Sequence, residues 1–306
     1  MADLSPVTGV LPFEPITPLF SDYAHKSRFV WMPDGVSASY VADSLVLDFP
    51  DGAVLIKNFY YDHVQPADTR RIMETRLLYR RDDQWQFATY VWNAAQTEAT
   101  LRMDGQNEAV QWVDDGGTLR NVNYRIPSLA ECQTCHKKYG LSVPIGVKPQ
   151  NLNSNFGYTD GAMNQLAKWQ ASDYLQGGLP ASIETVAKWD DVTLDPLIRV
   201  RAYVDMNCSH CHSQGGHCDY RPMRFAWHDS NILENLGVCV PPDDNLGLPQ
   251  YTHIVNAGNI ERSMMYFRMS SADEAVRMPL LGRTLVHDEA VQLIGDWITS
   301  LTPPCP

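Results

Sequence analysis

The chain has 306 residues, of which 44% are hydrophobic, enough for about two domains with apolar cores. Its 36 acidic and 24 basic residues give a net charge of −12, which argues against a surface that binds nucleic acid or anionic lipid. No run of 18 apolar residues occurs, so we expect no membrane-spanning segment. The first residues also lack the basic, apolar and small-residue order of a signal peptide.

Alternation of apolar and polar residues predicts an antiparallel β-rich domain over residues 1–125. One hairpin is expected from 45–47 and 54–56 around a Pro-Asp-Gly turn, and another from 75–79 and 85–91 around Asp82-Asp83. Several tryptophans in this region offer a possible ligand-binding face, although alternating aromatic residues are also typical of a sheet core. They are Trp31, Trp85, Trp92 and Trp112.

After Pro127 the composition changes, and residues 126–190 form a short second segment. It opens with the string Cys132-Gln-Thr-Cys135-His136. A loop rich in Asn, Gly and Pro follows, and then a helix is predicted over 163–174. We expect this segment to pack on the β-rich domain, because it is too short to bury a large cofactor by itself.

Residues 191–306 form the third predicted region. Asp195-Pro196 is a favourable helix start, and the apolar stripe behind it leads into the string Cys208-Ser-His-Cys211-His212. A closing helix is predicted after His287-Asp288 from apolar residues at helical spacing. A helix, a motif, a long loop and a closing helix are the layout of a small cytochrome c, so an all-α cytochrome c domain is expected here.

Both strings are Cys-x-x-Cys-His, the attachment signature of c-type haem. The two thiols add across the vinyl groups of the porphyrin, and the histidine ligates the iron. A redox Cys-x-x-Cys motif would need a βαβ context, and a four-cysteine zinc site would need the pairs about 15–20 residues apart. Neither alternative fits, so the sequence predicts two covalently bound haem c groups, at Cys132, Cys135 and His136 and at Cys208, Cys211 and His212.

The sixth iron ligands are less clear in the sequence. Met278 stands before a proline and ahead of the closing helix, and we expect its thioether to ligate the second haem; the alternative is an ordinary core methionine, as expected of Met264, Met265 and Met269. For the first haem the candidate is Met163. His25, Lys26 and His63 remain alternatives, and a solvent-facing or core role is open for each.

Three cysteines lie outside the motifs, namely Cys218, Cys239 and Cys305. Attachment of haem c implies an oxidising compartment, in which disulfides form. A Cys218–Cys239 disulfide is the expected pairing, with pairing to Cys305 or free thiols as alternatives.

Many ordered fragments resemble a family of bacterial exported dihaem c-type cytochromes, often lipoproteins. They include Pro-Leu-Phe-Ser-Asp-Tyr-Ala at 18–24, Glu-Thr-Arg-Leu-Leu at 74–78, Tyr-Val-Trp-Asn at 90–93, Arg-Ala-Tyr-Val-Asp at 201–205 and Met-Pro at 278–279. The resemblance covers about residues 10–300 and implies two haems and a periplasmic or extracellular location.

The expected fold class is therefore multidomain α+β, with the β-rich domain first, the haem-bearing segment second and the all-α domain last. The expected function is transfer of single electrons between redox partners, and the acidic surface favours a partner with a basic docking face. The alternative is a dihaem peroxidase or oxygenase whose first haem has an open sixth position.

Overall fold

Strands, rather than helices, make up most of the regular structure of residues 4–306, which the computed structural model describes. The strands are β1 (Leu11–Phe13), β2 (His25–Trp31), β3 (Val54–Val64), β4 (Thr69–Arg81), β5 (Gln84–Trp92), β6 (Ala99–Leu101), β7 (Gln106–Val113), β8 (Leu119–Ile126), β9 (Lys137–Lys138), β10 (Leu141–Ser142), β11 (Asn155–Tyr158) and β12 (Gly161–Asn164). The helices are α1 (Leu129–Cys135), α2 (Pro149–Leu152), α3 (Gln165–Ala171), α4 (Pro196–Asn207), α5 (Met264–Ser270) and α6 (Asp288–Ser300).

The chain divides into two compact units whose sequences interleave. The first unit contains the residues up to Pro18 together with Ala24–His136 and Leu141–Thr185. The second contains Leu19–Tyr23, Lys137–Gly140 and Val186–Pro306. Each unit is therefore built from segments that are far apart in sequence.

The first unit contains an eight-stranded antiparallel sheet. Strands β1 to β6 are neighbours in chain order, while β7 pairs with β8 and touches β3. The hairpin of β4 and β5 confirms the prediction around Asp82-Asp83. Both turn residues have positive φ, of 51° and 57°, as a two-residue type I′ turn requires.

The predicted hairpin of 45–47 with 54–56 is wrong. Residues 45–47 form no strand, and β3 pairs instead with β2 and β4. Leu47 is nevertheless buried, and its amide donates to the Val147 carbonyl 3.2 Å away. Apolar residues beside a turn show that a segment is buried, but they do not show which segment it pairs with.

Residues 141–185 share one apolar core with the sheet. This core joins Val147, Leu152, Leu166 and Trp169 to sheet and loop residues such as Phe13, Val30, Leu47, Leu55 and Trp85. The predicted helix over 163–174 is shorter than expected. It is α3, which starts at Gln165 because the Asn164 side chain caps it by accepting from the Leu166 and Ala167 amides.

The tryptophans do not share one exposed face. Trp85 and Trp112 are 5% and 3% exposed, whereas Trp31 is 38% exposed. The sheet-core interpretation therefore holds for Trp85 and Trp112.

The second unit has the two predicted helices. In α4 the Asp195 side chain accepts from the Leu197 amide and Pro196 occupies the first turn, as the sequence indicates. In α6 the predicted apolar stripe is buried, including Ile294 and Trp297. Together with Val200 and Val204 of α4, these residues form the core of this unit.

The predicted fold class is wrong for the C-terminal region, where no large all-α cytochrome domain exists. In the part of the chain that the structure describes, 27% of the residues are in strands and 19% in helices, and the six α-helices are short. Between α4 and α5 the second unit has only turns and two short 3₁₀ helices, Leu233–Leu236 and Ile260–Arg262. This stretch is rich in Gly, Pro, Asp and Asn, which favour turns over helix.

Candidate functional site

The first Cys-x-x-Cys-His string closes a short, well-capped helix. Ser128 and Glu131 form a capping box at the start of α1, which fixes where this seven-residue helix begins. Cys132 and Cys135, three residues apart, then lie on neighbouring positions of its surface. His136 follows as the C-terminal cap, and its amide donates to the Cys132 carbonyl 3.0 Å away.

The imidazole of His136 has a defined orientation. Its Nδ1 lies 2.9 Å from the Val143 carbonyl oxygen, which can only accept, so Nδ1 carries a proton and the neutral imidazole has its lone pair on Nε2. Iron-ligating histidines are usually oriented in this way by a carbonyl or carboxylate. The ring also packs edge-to-face on Phe87 of β5, at 5.3 Å between centroids. These donors fit a c-type haem.

The Cys132 side chain lies near the sheet. Its side chain is buried, and burial raises the pKa of the Cys132 thiol while the nearby Arg76 guanidinium lowers it. Arg76 of β4 is aligned with Thr89 of β5, two positions from Phe87, so Arg76 and Phe87 point to the same face of the sheet. The first motif therefore belongs to this face.

The candidates for the sixth ligand of the first haem have other roles in the structure. Met163 lies in β12, not at a helix start, and is 42% exposed. His63 is exposed with its Nδ1 2.9 Å from an Asp68 oxygen, and Lys26 donates to the Ala24 carbonyl at 2.7 Å. His25 stacks on Tyr60 and points to the sheet face opposite Phe87.

The second string forms a tight turn at the end of α4. The Cys208 amide continues the helix by donating to the Val204 carbonyl, and the amides of Cys211 and His212 both donate back to the Cys208 carbonyl, at 3.1 and 2.9 Å. Burial raises the pKa of the Cys208 thiol to about 12, so this sulfur is a neutral thiol at pH 7.

His212 is buried, with 8% of its surface exposed. Burial lowers its pKa to about 4, which keeps the imidazole neutral at pH 7, the form that ligates a metal. Within residues 4–306 its buried Nδ1 has no hydrogen-bond partner. Cys208 and Cys211 precede His212 in the chain and are free thiols, and two free thiols followed by a neutral imidazole are the donors that a covalently attached haem requires.

Met278 lies in the loop between α5 and α6 and is half-buried. Its amide donates to the Arg268 carbonyl at 2.9 Å. The buried Arg283 donates to the Met278 carbonyl at 2.7 Å, and also to the carbonyls of Met269 and Ser271. Arg283 thus anchors the Met278 loop, a role that the sequence analysis missed.

Met264, Met265 and Met269, which were expected to be core residues, are buried at 4%, 8% and 7% exposure.

The segment Leu19–Tyr23 also belongs to the second unit, although the sequence assigned it to the β-rich domain. Asp22 is buried, and its carboxylate accepts from the Thr284 and Leu285 amides at 2.6 and 2.7 Å and from the Thr284 hydroxyl at 3.1 Å. Phe20 stacks on His287 at 4.0 Å. We call these five residues the strap. The only hint in the sequence is that they are part of the Pro-Leu-Phe-Ser-Asp-Tyr-Ala string.

The predicted Cys218–Cys239 disulfide is wrong, because Cys239 pairs with Cys305 at a Cα–Cα distance of 5.2 Å. Cys305 was the alternative partner. The fold brings Cys239 and Cys305, which are 66 residues apart in sequence, to a distance at which a disulfide can form. Cys218 remains a buried free thiol. The Cys211 thiol donates to it and lowers its pKa to about 6.

No family model, curated protein or solved structure matches this chain. Among residues 4–306, none of the helices has both the length and the apolar character needed to cross a bilayer.

Proposed function

We propose that this chain is a dihaem c-type cytochrome of the bacterial exported type and that it transfers single electrons between redox partners. The observation that carries the proposal is the pair of Cys-x-x-Cys-His strings, each at the end of a helix. The Val143 carbonyl orients the imidazole of His136, and burial keeps the imidazole of His212 in the neutral form that iron ligation needs.

When bound, each haem supplies an iron that alternates between Fe(III) and Fe(II). Cys132 and Cys135 would hold the first haem through thioether bonds, and Cys208 and Cys211 would hold the second. His136 and His212 would each ligate one iron. Met278 would ligate the iron of the second haem, and its neutral sulfur would favour Fe(II) and raise the potential.

A periplasmic or extracellular location is part of this proposal. The Cys239–Cys305 disulfide supports it, because disulfides persist in oxidising compartments. The net charge of −12 favours a redox partner with a basic docking face, which would speed encounter at low ionic strength.

The direct test is the mass of the denatured protein after expression in a host that matures c-type cytochromes. We expect the mass of the chain plus two haems. Replacing Cys132 and Cys135 by alanine removes one haem, and replacing Cys208 and Cys211 removes the other. Cys218→Ala is the matched control and keeps both, because Cys218 is a buried thiol outside the motifs. A wild-type mass with one haem or none refutes the proposal.

A second candidate is a dihaem peroxidase or oxygenase with an open first haem. It is favoured by the exposure of Met163 and His63 and by the position of His25 on the other sheet face. Electron paramagnetic resonance of the oxidised protein distinguishes the two. Two low-spin signals support electron transfer, whereas a high-spin signal that disappears in the Cys132/Cys135 variant supports the enzyme.

A further inference from the structure

A row of three cations crosses the sheet of the first unit. Arg28 on β2 is aligned with Lys57 on β3, and Lys57 with Arg76 on β4. Directly aligned residues point to the same face of a sheet, with Cβ atoms about 4.5–5.5 Å apart. Like charges at that spacing repel, so the row needs negative charge close by.

Two carboxylates lie near the ends of the row. Glu74 is fully buried, and its oxygens accept from the Arg76 guanidinium at 2.5 and 2.7 Å and from the Tyr124 hydroxyl at 2.8 Å. Arg28 is 7% exposed and lies 3.5 Å from a Glu14 oxygen. Each carboxylate is therefore already committed to one arginine.

Lys57, in the middle of the row, has no such partner. Within the part of the chain that the structure describes, it forms no ion pair or hydrogen bond, and its ammonium lies 4.7 Å from the centre of the Phe59 ring. Burial, together with Arg28, Lys26 and Arg76, holds the pKa of Lys57 well below its usual value. Lys26 on β2 adds a fourth basic side chain, so the cluster has four basic groups and two carboxylates in a chain that is acidic overall.

The row faces the same side as the first Cys-x-x-Cys-His string. Leu78 follows Arg76 on the same face of β4 and is aligned with Phe87 of β5, on which the His136 ring packs. Arg76 also acts electrostatically on the Cys132 thiol. The first motif and the row of basic side chains are therefore neighbours on one face of the sheet.

We infer that the row of Arg28, Lys57 and Arg76 binds the two propionates of the haem attached at the first motif. The inference rests on the proposed function, because it needs that haem. A propionate beside Lys57 supplies the carboxylate that this residue lacks and favours its charged form, and guanidinium groups bind carboxylates in a bidentate way. A free dianion such as phosphate shares this chemistry, so the test must separate the two sources.

The experiment measures the reduction potential of each haem in the full holoprotein carrying Arg28→Gln or Lys57→Gln. We expect each change to lower the equilibrium constant for reduction of the first haem about tenfold, which lowers its potential by ~59 mV. The reason is that a propionate without its cation repels the electron that reduction adds to the haem. The second haem is the internal reference. Arg81→Gln, on β4 but 75% exposed at its side chain, is the matched control and leaves both potentials unchanged. Lys57→Arg keeps the positive charge, so the first haem should have the wild-type reduction potential in this variant.

Lys57→Gln breaks no hydrogen bond or ion pair, so it keeps the test open even where Arg28→Gln fails to fold. An unchanged first-haem potential in Lys57→Gln overturns the inference. A change of spin state in Lys57→Gln alone also overturns it, because the amine is then an iron ligand. At constant ionic strength, phosphate that raises the melting temperature of the wild type but not of Lys57→Gln assigns the row to a free anion instead. Peptide mass spectrometry that finds no haem on Cys132 and Cys135 refutes the proposed function itself.

Discussion

The strap offers a sharp test of how the second unit is held together, through the substitution Asp22→Ala. The Asp22 carboxylate is 2% exposed and accepts hydrogen bonds from two backbone amides and one hydroxyl in the loop that leads from Met278 to α6. Alanine removes all three acceptor contacts at once. The Thr284 and Leu285 amides then lose their partner.

The expected cost follows from the hydrogen bonds. A buried donor left without a partner costs ~1–3 kcal/mol, and here two amides lose their acceptor. Removing the buried charge of Asp22 offsets part of this cost. We expect a loss of about 3 kcal/mol in the free energy of unfolding. For a unit of this size the melting temperature falls by roughly 6–12 °C.

The assay is thermal and denaturant unfolding of the holoprotein, followed by tryptophan fluorescence and by the haem spectrum. Asp22→Asn keeps one oxygen acceptor and loses less than Asp22→Ala. Asp115→Ala, at an exposed turn, is the control and changes the melting temperature little. If Asp22→Ala costs no more than Asp115→Ala, the strap does not stabilise the second unit and the reasoning is refuted.

The same residue gives a pH dependence. Burial raises the pKa of Asp22 above its usual 3.8, although the Leu285 and Thr284 hydrogen bonds lower it. A carboxyl group with a raised pKa in the folded state stabilises the fold most below pH 3.8, and this stabilisation is lost as pH rises through the folded pKa. The stability advantage of the wild type over Asp22→Asn should therefore shrink as the pH rises from about 4. A widening difference contradicts this.

Three further outcomes are expected. Met278→Ala abolishes the sulfur-to-iron charge-transfer band and lowers the potential of one haem, whereas Met163→Ala, at an exposed position, leaves the band intact; optical spectra of the oxidised proteins decide. Cys305→Ser opens a 66-residue loop and costs ~4 kcal/mol in denaturant unfolding, and a loss below about 1 kcal/mol would show that the bond is not stabilising. Arg283→Gln leaves carbonyls of the Met278 loop without a donor and costs ~2 kcal/mol, measured in the same way, with faster hydrogen exchange of that loop.

Local signals in the sequence were sufficient for several elements. The Asp195-Pro196 start of α4 and the apolar stripe of α6 depend only on residues within a few turns, and both helices form as predicted. The Asp82-Asp83 turn is likewise local, because two residues with positive φ determine the register of the hairpin. Each Cys-x-x-Cys-His string is likewise local, since five consecutive residues carry it, and the haem attachment that it indicates stays a prediction.

Distant pairings were not readable in the same way. Residues 45–47 have the pattern of a strand but form an irregular segment. Cys239 pairs with Cys305, although Cys218 is nearer to it in the sequence. The order of the elements led to the wrong fold class. A helix before the second motif and a closing helix near the chain end do not show that the residues between them are helical. Each of these outcomes depends on contacts whose partners the sequence does not identify.

The interleaving of the two units affects the stability of the Met278 loop. The chain leaves the first unit after Pro18, gives five residues to the second, and returns at Ala24 just before β2. Asp22 and Thr284 are 262 residues apart, so their hydrogen bond closes a loop of nearly the whole chain. A fragment of residues 191–306 lacks both the Asp22 carboxylate and the Phe20 ring that stacks on His287. Such a fragment should bind its haem covalently, because its motif is local, yet unfold more readily than the same residues within the full chain.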